Sequence, residues 1–362
     1  MFVSHRLFLG KYAIQKGLHV GILCNTSKHK KQIEDLGIEV FDWPFKRGSL
    51  NPINEIKSLW FALMVIKKFK PDLVHSVALK PIIYASIACK CLFVKRRVFA
   101  LTGVGFIFSS NKFKAKLLRP MVTSILKWAL NGAFSRVIVQ NSDDCRLLED
   151  ENISGSASIE LIRGAGVDVD IYSPSFIKSA IPLVVLPARV LWDKGVGEFV
   201  AAARLLHNKG INARFAIVGE PDRQNPMCVP IPQIELWVKD GIIEYWGYQD
   251  NMPKVLENAS IVCLPSYREG VPKSLLEAAS CGLPLVAFDV PGCREVIDNG
   301  RNGYLVPFKN VGALSVALEK LILDRDLRET MGNNGREKVM QEFSQERIAQ
   351  ETFEVWERLF AA

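Results

Sequence analysis

Short apolar runs alternate with helix-length stretches along almost the whole chain, and partway through the alternation stops and begins again. A β–α repeat of this kind builds a parallel sheet with helices on its faces. In the first stretch the strand-like runs are His19–Cys24, Glu39–Asp42, Leu73–Val77, Arg97–Leu101 and Arg136–Gln140. Helical patterns fall between them near 28–36, 53–69, 79–91, 112–133 and 142–151. A connecting stretch with glycines and a proline, Ile162 to Pro174, interrupts the series. Strands at Leu183–Leu186, Arg214–Val218, Ile242–Trp246, Ile261–Leu264, Leu285–Phe288 and Tyr304–Val306 then alternate with helices near 195–208, 251–259, 273–281 and 311–323. Gln345 to Phe360 reads as a closing amphipathic helix.

The expected architecture is therefore α/β, with two Rossmann-like, doubly wound parallel-sheet domains. The spacing predicts an N-terminal domain over 1–170, a second domain over 171–345, and a last helix, 346–362, packing back toward the first. A length of 362 residues suits two domains. The N-terminus departs from the pattern. A half of this kind opens on a strand, whereas this chain opens on a helix, Ser4 to Lys16, so its first sheet is expected to be one strand short, with an unpaired edge.

The longest strictly apolar run is Leu59 to Ile66, far short of the ~20 residues of a spanning helix. His5, Arg6 and Lys11 interrupt any secretory leader. The expectation is a cytoplasmic protein with reduced core cysteines. Cys89-Lys90-Cys91 has one spacer and no second pair, which excludes a zinc site of the usual spacing. Charge is uneven. Residues 1–140 carry 23 Lys and Arg against 6 Asp and Glu, and the rest of the chain 23 against 32. The basic first half calls for a polyanionic partner: nucleic acid, an anionic membrane or a phosphate-bearing substrate.

Two clusters in the second half could carry chemistry. In PARVLWDKGVGEF, residues 187–199, Arg189 and Lys194 bracket a loop that leaves a strand and opens a helix. Ligands of doubly wound sheets bind at such strand ends, so this is either a diphosphate cradle or a solvated Lys194–Asp193 loop. In SYREGVPKSLLEAASCGLPLVA, residues 266–287, Glu269 on a loop and Glu277 one turn into a helix are eight apart. Two carboxylates beside a phosphate-binding helix suit the hydroxyls of a sugar and a ribose. The competing readings are a loop acid for Glu269 and a capping box, Ser274 to Glu277, for the other. Asp168-Val169-Asp170 resembles a metal-binding DxD but lies in the linker with no clear helix after it, so no metal site is expected.

Together the run Arg189–Gly195, the E-x7-E of EGVPKSLLE, GAGVDVDIYSP and PGCREVIDNGRNGYLVP resemble the family 4 glycosyltransferases, retaining enzymes of the two-domain GT-B fold with a central cleft. SHRLFLGKYA, HSVALKP and FALTGVGFIFSS resemble the branch that acts in bacterial O-antigen, capsule or exopolysaccharide assembly. The resemblance implies transfer of a hexose or N-acetylhexosamine from a UDP-linked donor to an undecaprenyl-diphosphate-linked saccharide, without metal or cofactor, at the cytoplasmic face of the membrane. It places Arg189 and Lys194 on the donor diphosphate, Glu269 on the donor sugar and Glu277 on the ribose. The backbone of Gly270, Val271, Pro272, Lys273 and Ser274 would contact sugar and phosphate, and Gly247 and Tyr248 would flank the base. Acceptor-side candidates are Ser4, His5, Arg6, Lys80, Thr102, Gly103 and Gly105. Where many members carry a sugar-contacting His, this chain has Leu101-Thr102-Gly103-Val104-Gly105, so Thr102 and the glycine backbone would stand in.

The stretch Asn111 to Leu130 interleaves Lys112, Lys114, Lys116, Arg119 and Lys127 with Phe113, Leu117, Leu118 and Trp128. This suits an anionic membrane surface, or a helix whose apolar face packs on the sheet. No nucleic-acid recognition motif is present. An epimerase acting on UDP-N-acetylglucosamine and a non-catalytic sugar-nucleotide-binding protein are the alternative functions.

Overall fold

The computed structural model describes residues 2–26, 29–44, 51–103, 113–175 and 180–361, with backbone alone at 4 and 113–118. The chain divides into two compact units, residues 1–165 with 345–362, and residues 166–344.

The first unit opens on helices α1 (Phe2–His5) and α2 (Leu7–Gln15). Then come β1 (Gly21–Cys24), α3 (Lys30–Glu34), β2 (Glu39–Asp42), α4 (Pro52–Phe69), β3 (Leu73–Val77), α5 (Leu79–Cys91) and β4 (Arg96–Leu101). The series continues with α6 (Phe113–Leu130), β5 (Ser135–Val139), α7 (Ser142–Asp150) and β6 (Ser158–Leu161). The opening helix is not continuous over 4–16 but breaks at Arg6. All pairings are parallel, but the sheet is in two pieces. Among the described residues β1 pairs only with β2, and β3, β4, β5 and β6 form a separate four-stranded sheet. Among the described residues no ladder joins β1 to β3, so the single doubly wound sheet expected here is replaced by two. Helix α2 spans both pieces: Ala13 packs with Val98, Ala100 and Ile138, while Leu7 and Ile14 pack with Ile22 and Ile38.

The second unit runs β7 (Leu183–Pro187), a 3₁₀ turn (Trp192–Lys194), α8 (Val196–Asn208), β8 (Arg214–Val218), α9 (Ile231–Lys239), β9 (Glu244–Gly247), α10 (Met252–Asn258) and β10 (Ile261–Leu264). It ends with α11 (Lys273–Ser280), β11 (Leu285–Phe288), α12 (Pro291–Val296), β12 (Gly303–Val306), α13 (Val311–Leu323) and α14 (Arg325–Glu342). The closing helix α15 (Gln345–Ala361) belongs to the first unit, where Ile348, Val355 and Leu359 join the core of the larger sheet.

The second unit's six strands lie in the order β12-β11-β10-β7-β8-β9, all parallel. Counted from β7 this is the 3-2-1-4-5-6 order of a doubly wound dinucleotide-type sheet. Connections from β7 run to one side and those from β10 to the other, so the sheet reverses between these two neighbours. That reversal opens a crevice beyond their carboxyl ends, where ligands of such sheets bind. Strands β7, β10 and β11 are fully buried, as near-continuous apolar runs covered on both faces should be.

Candidate functional site

The loops that leave β7 and β10 carry the residues singled out from sequence. After β7 the chain passes Arg189, makes the 3₁₀ turn Trp192–Lys194 and enters α8 through Gly195. Gly195 has φ +74°, and a Cβ there would lie 1.9 Å from the carbonyl oxygen of Pro265, on the loop after β10. Only glycine permits so close an approach. The two loops are further joined by Tyr267 N–H donating to the Asp193 carbonyl at 2.8 Å and by the Ser266 hydroxyl donating to the same oxygen at 3.3 Å. The Tyr267 hydroxyl donates to Glu198 of α8 at 2.5 Å.

This framework brings Lys194 and Glu269, 75 positions apart in sequence, into direct contact. Lys194 Nζ donates to Glu269 Oε1 at 2.5 Å, and their side chains are 20% and 13% exposed. Arg189 reaches across to Asp222, beyond the end of β8, at 2.6 Å. Both cations expected on a diphosphate are thus held by carboxylates at the sheet's reversal point.

Gly270 follows Glu269 and passes directly under α12: a Cβ at Gly292 would fall 1.5 Å from the Gly270 carbonyl oxygen. The Glu269–Gly270 backbone is therefore clamped from outside as well as tied to the β7 loop. Helix α11 starts at Lys273 with Pro272 as its N-cap; the Lys273 and Ser274 amides precede its i→i−4 ladder, and Leu275 N–H donates to the Pro272 carbonyl at 3.0 Å. Ser274 lies inside the helix, which excludes the capping box and leaves Glu277 free of that duty. Glu277 is mostly buried, its side chain 12% exposed, its carboxylate 3.6 Å from Lys273 and hydrogen-bonded by the Tyr172 hydroxyl. Burial raises the Glu277 pKa, with Lys273 and Tyr172 pulling it back. Burial, then Glu277, raises the Tyr172 pKa.

Tyr172 was missed as a site residue, although it lies in the GAGVDVDIYSP stretch. Its carbonyl accepts from the Ser280 hydroxyl at 2.6 Å and from Arg336 at 3.2 Å, which fix it against α11. Gly219 was also missed; the signal was a glycine directly after an apolar strand. Its φ is +148°, a Cβ there would lie 2.0 Å from the Ala188 carbonyl oxygen, and its N–H donates to the Gly247 carbonyl at 2.8 Å. It thereby gathers the ends of β7, β8 and β9. Gly247 (φ +62°) turns the chain out of β9, and Tyr248 beyond it is exposed, its hydroxyl bonded to Asp250. Asp168 Oδ1 accepts from the amides of Asp170 and Ile171, which uses it as a turn former.

In the first unit the expected acceptor-side residues have separate surroundings. Lys80 lies 3.1 Å from Glu55. Burial lowers the Arg6 pKa to about 10. Burial, with Arg6 second, lowers that of His75 to about 3; His75 accepts from Trp356 Nε1 at Nδ1, and its Nε2 is buried without a partner. His5 and Arg6 line a small cavity with Gln345 and Thr352. Thr102 is half-buried just past β4, and Gly103 has φ +138°. Gly105 and Lys112, and the side chains of Ser4, Lys114 and Lys116, lie outside the described residues. Leu126, Ala129 and Leu130 of α6 are buried in the core beside Phe99 and Val137.

Two family models divide the chain. Residues 173–338 match the glycosyl transferases group 1, and residues 2–141 match the glycosyl transferase 4-like group. The N,N'-diacetylbacillosaminyl-diphospho-undecaprenol alpha-1,3-N-acetylgalactosaminyltransferase of Campylobacter jejuni subsp. jejuni serotype O:2 is 29% identical, over 94% of this chain and 91% of its own length. The UDP-Gal:alpha-D-GlcNAc-diphosphoundecaprenol alpha-1,3-galactosyltransferase of Escherichia coli is 25% identical, over 90% and 85%. Among solved structures, sucrose-phosphate synthase from Thermosynechococcus elongatus aligns with a TM-score of 0.79 at 21% identity, over 98% of this chain and 92% of that one. With its two parallel α/β units, its 3-2-1-4-5-6 second sheet and the Lys194–Glu269 and Glu277 constellation at that sheet's reversal point, the chain belongs to the family 4 glycosyltransferases of GT-B fold.

Proposed function

We propose that the protein transfers a hexose or N-acetylhexosamine, with retention, from a UDP-sugar to a saccharide carried on undecaprenyl diphosphate, in surface polysaccharide assembly. The observation that carries this reading is the Lys194–Glu269 pair at the reversal point of the second sheet, beside the N-terminus of α11. The relatives' activities on diphospho-undecaprenol saccharides support the acceptor, and the Escherichia coli relative's UDP-galactose supports the donor.

The diphosphate would displace the carboxylates that now hold Lys194 and Arg189, and the first-turn amides of α11 would add donors to it. Glu277, pre-oriented by Tyr172, would accept from the ribose hydroxyls, and Glu269, released, from the donor sugar. The anomeric carbon–oxygen bond to the β-phosphate breaks as the acceptor hydroxyl attacks from the same face. The acceptor's proton passes to the departing phosphate oxygen. Fixed cations where that negative charge grows stabilise the transition state more than the ground state. Lys194, Arg189 and the helix end take the part that a divalent ion plays in other transferases, and no cofactor enters. The work is placed at the cytoplasmic face of the membrane, with the basic first unit toward anionic lipid. Among the described residues no helix is long and apolar enough to cross a bilayer.

The test is a thermal-shift comparison of UDP, GDP, ADP and CMP, followed by transfer assays with UDP-sugars and lipid-linked acceptors. Saturation at ~100 times the dissociation constant stabilises a protein by about 2.7 kcal/mol. A shift with UDP alone is expected; none with any nucleotide would overturn the proposal.

A further inference from the structure

We infer that helix α4, rather than α6, is the element that lies on the membrane, with its apolar stripe in the lipid and a cationic groove at its carboxyl end for anionic phospholipid headgroups. The inference rests on the reading above that the protein works at an anionic membrane and names the surface that does so.

Helix α4 contains the longest strictly apolar run of the sequence, yet it buries only part of it. Ser58, Ala62 and Ile66 face the core. Ile53, Ile56, Trp60 and Met64 are 62%, 67%, 61% and 46% exposed. Their spacings of three, four and four residues put them on one face, as a continuous stripe. Exposed apolar residues scattered singly need no explanation, but a contiguous stripe marks an interaction surface.

The charges around the stripe identify the partner. Lys57, Lys67 and Lys68 are exposed on the same side of the helix. The helix's one carboxylate, Glu55, points elsewhere, to Lys80 and the Tyr84 hydroxyl. An apolar face bordered by lysines alone matches an anionic bilayer: lysine stems follow the apolar surface while their ammonium groups reach the headgroups, and tryptophan favours that depth.

Past the end of α4 lies a groove that shares Lys67 with that side of the helix. Lys67 and Lys70 line this groove, of about 430 Å³, with Lys95, Arg96 and Phe93, and Asp72 is the one carboxylate there. Phe93 is 87% exposed and has φ +58°. A left-handed phenylalanine pays in backbone strain to hold its ring in solvent, a cost that insertion among acyl chains would offset. In α6 Leu126, Ala129 and Leu130 are buried in the core, and among its described side chains the exposed large apolar ones are two, Met121 and Trp128, against four in the α4 stripe.

Sedimentation with vesicles of equal parts phosphatidylglycerol and phosphatidylcholine, against phosphatidylcholine alone, tests the inference on the full chain. Wild type should bind the anionic vesicles and release in high salt. Ile56→Ser/Trp60→Ser/Met64→Ser should abolish binding, and Lys57→Gln/Lys67→Gln/Lys68→Gln should weaken it about a hundredfold, at about fivefold per lysine. Both variants change exposed positions and should keep the wild-type melting temperature and UDP response. Wild-type-like vesicle binding by both would overturn the α4 assignment and leave the membrane reading intact. Failure of the wild type to bind any vesicle would overturn both. A wild type that dimerises in sedimentation velocity, with the Trp60 variant monomeric and still vesicle-bound, would make the stripe a contact between copies and also refute the inference.

Discussion

Replacing Lys194 by Met tests the centre of the site through stability and catalysis at once. Lys194 and Glu269 meet at 2.5 Å with 20% and 13% of their side chains exposed. Breaking a fully buried pair costs about 3–5 kcal/mol and a surface pair about 0–1. This pair is mostly but not wholly shielded, so leaving Glu269 alone should cost about 2 kcal/mol. For a unit of this size that is about 4–8 °C in melting temperature. Lys194→Met/Glu269→Gln removes both charges and should recover most of the loss, so the cycle should yield a coupling of about 1–2 kcal/mol. Catalysis should not recover: losing a fixed donor to developing charge should lower kcat about 10²–10³-fold in single and double variants alike. Urea unfolding of the four proteins and sugar transfer from the proposed UDP-sugar are the assays. A Lys194→Met protein within about 0.5 kcal/mol of wild type would show that the contact carries no net energy. Wild-type turnover would remove Lys194 from the site.

Two further substitutions probe its walls. Burial raises the Glu277 pKa above 4.5, so across the interval between that value and its folded value the native state holds more protons than the unfolded state. Stability therefore falls as pH rises through that interval, and the deficit persists above it. Glu277→Gln should be more stable than wild type at neutral pH and lose that advantage in acid, while binding UDP about 10–150-fold more weakly through loss of a charge-assisted hydrogen bond; urea titrations across pH and calorimetry read the two effects. Gly292→Ala places a methyl 1.5 Å from the Gly270 carbonyl oxygen, between two backbones that cannot both stay. It should displace the Glu269 loop and lower kcat with a stability loss of about 1–3 kcal/mol, and unchanged transfer would refute the clamp.

In the second unit every strand was legible, most of them as apolar runs buried on both faces, and in the first Glu39–Asp42 and Leu73–Val77 were read to the residue. So were Arg214–Val218, Ile261–Leu264 and Leu285–Phe288 of the second. What escaped were the helices α9, α12 and α14 of that unit and the strand β6 of the first. β6, Ser158-Ile159-Glu160-Leu161, is an edge strand with exposed ends and no run to notice. α14 carries Gly332-Asn333-Asn334-Gly335, which reads as a turn. Yet a Cβ at Gly332 would fall 2.0 Å from the Gly282 carbonyl oxygen, so the glycine is there for the approach to the end of α11. At the site, the residue types at 189, 194, 269 and 277 were legible from their places at strand ends and at one helix start. The pairings were not. Arg189 with Asp222, and Glu277 with Tyr172, depend on which strands become neighbours, and that is settled by the sheet order rather than by local spacing.

The two units should differ in stability. The second unit has one continuous core running from Val167 to Phe343. The first is parted among separate clusters, and its sheet is divided between β2 and β3. It also buries His75 Nε2, Ser76 Oγ and two nitrogens of Arg97 without partners, each a cost against the folded state. A two-stranded ladder is marginal by itself, so β1 and β2 depend on α2 and α4 to hold them. Hydrogen exchange should therefore find the β1–β2 amides opening first, at free energies well below global unfolding, and those of β7, β10 and β11 last. UDP should slow exchange around the second unit's reversal point without closing the β1–β2 gap in protection. If β1 exchanged as slowly as β4, the two pieces of the first sheet would be one cooperative unit, and α2 would be a sufficient substitute for a strand between them.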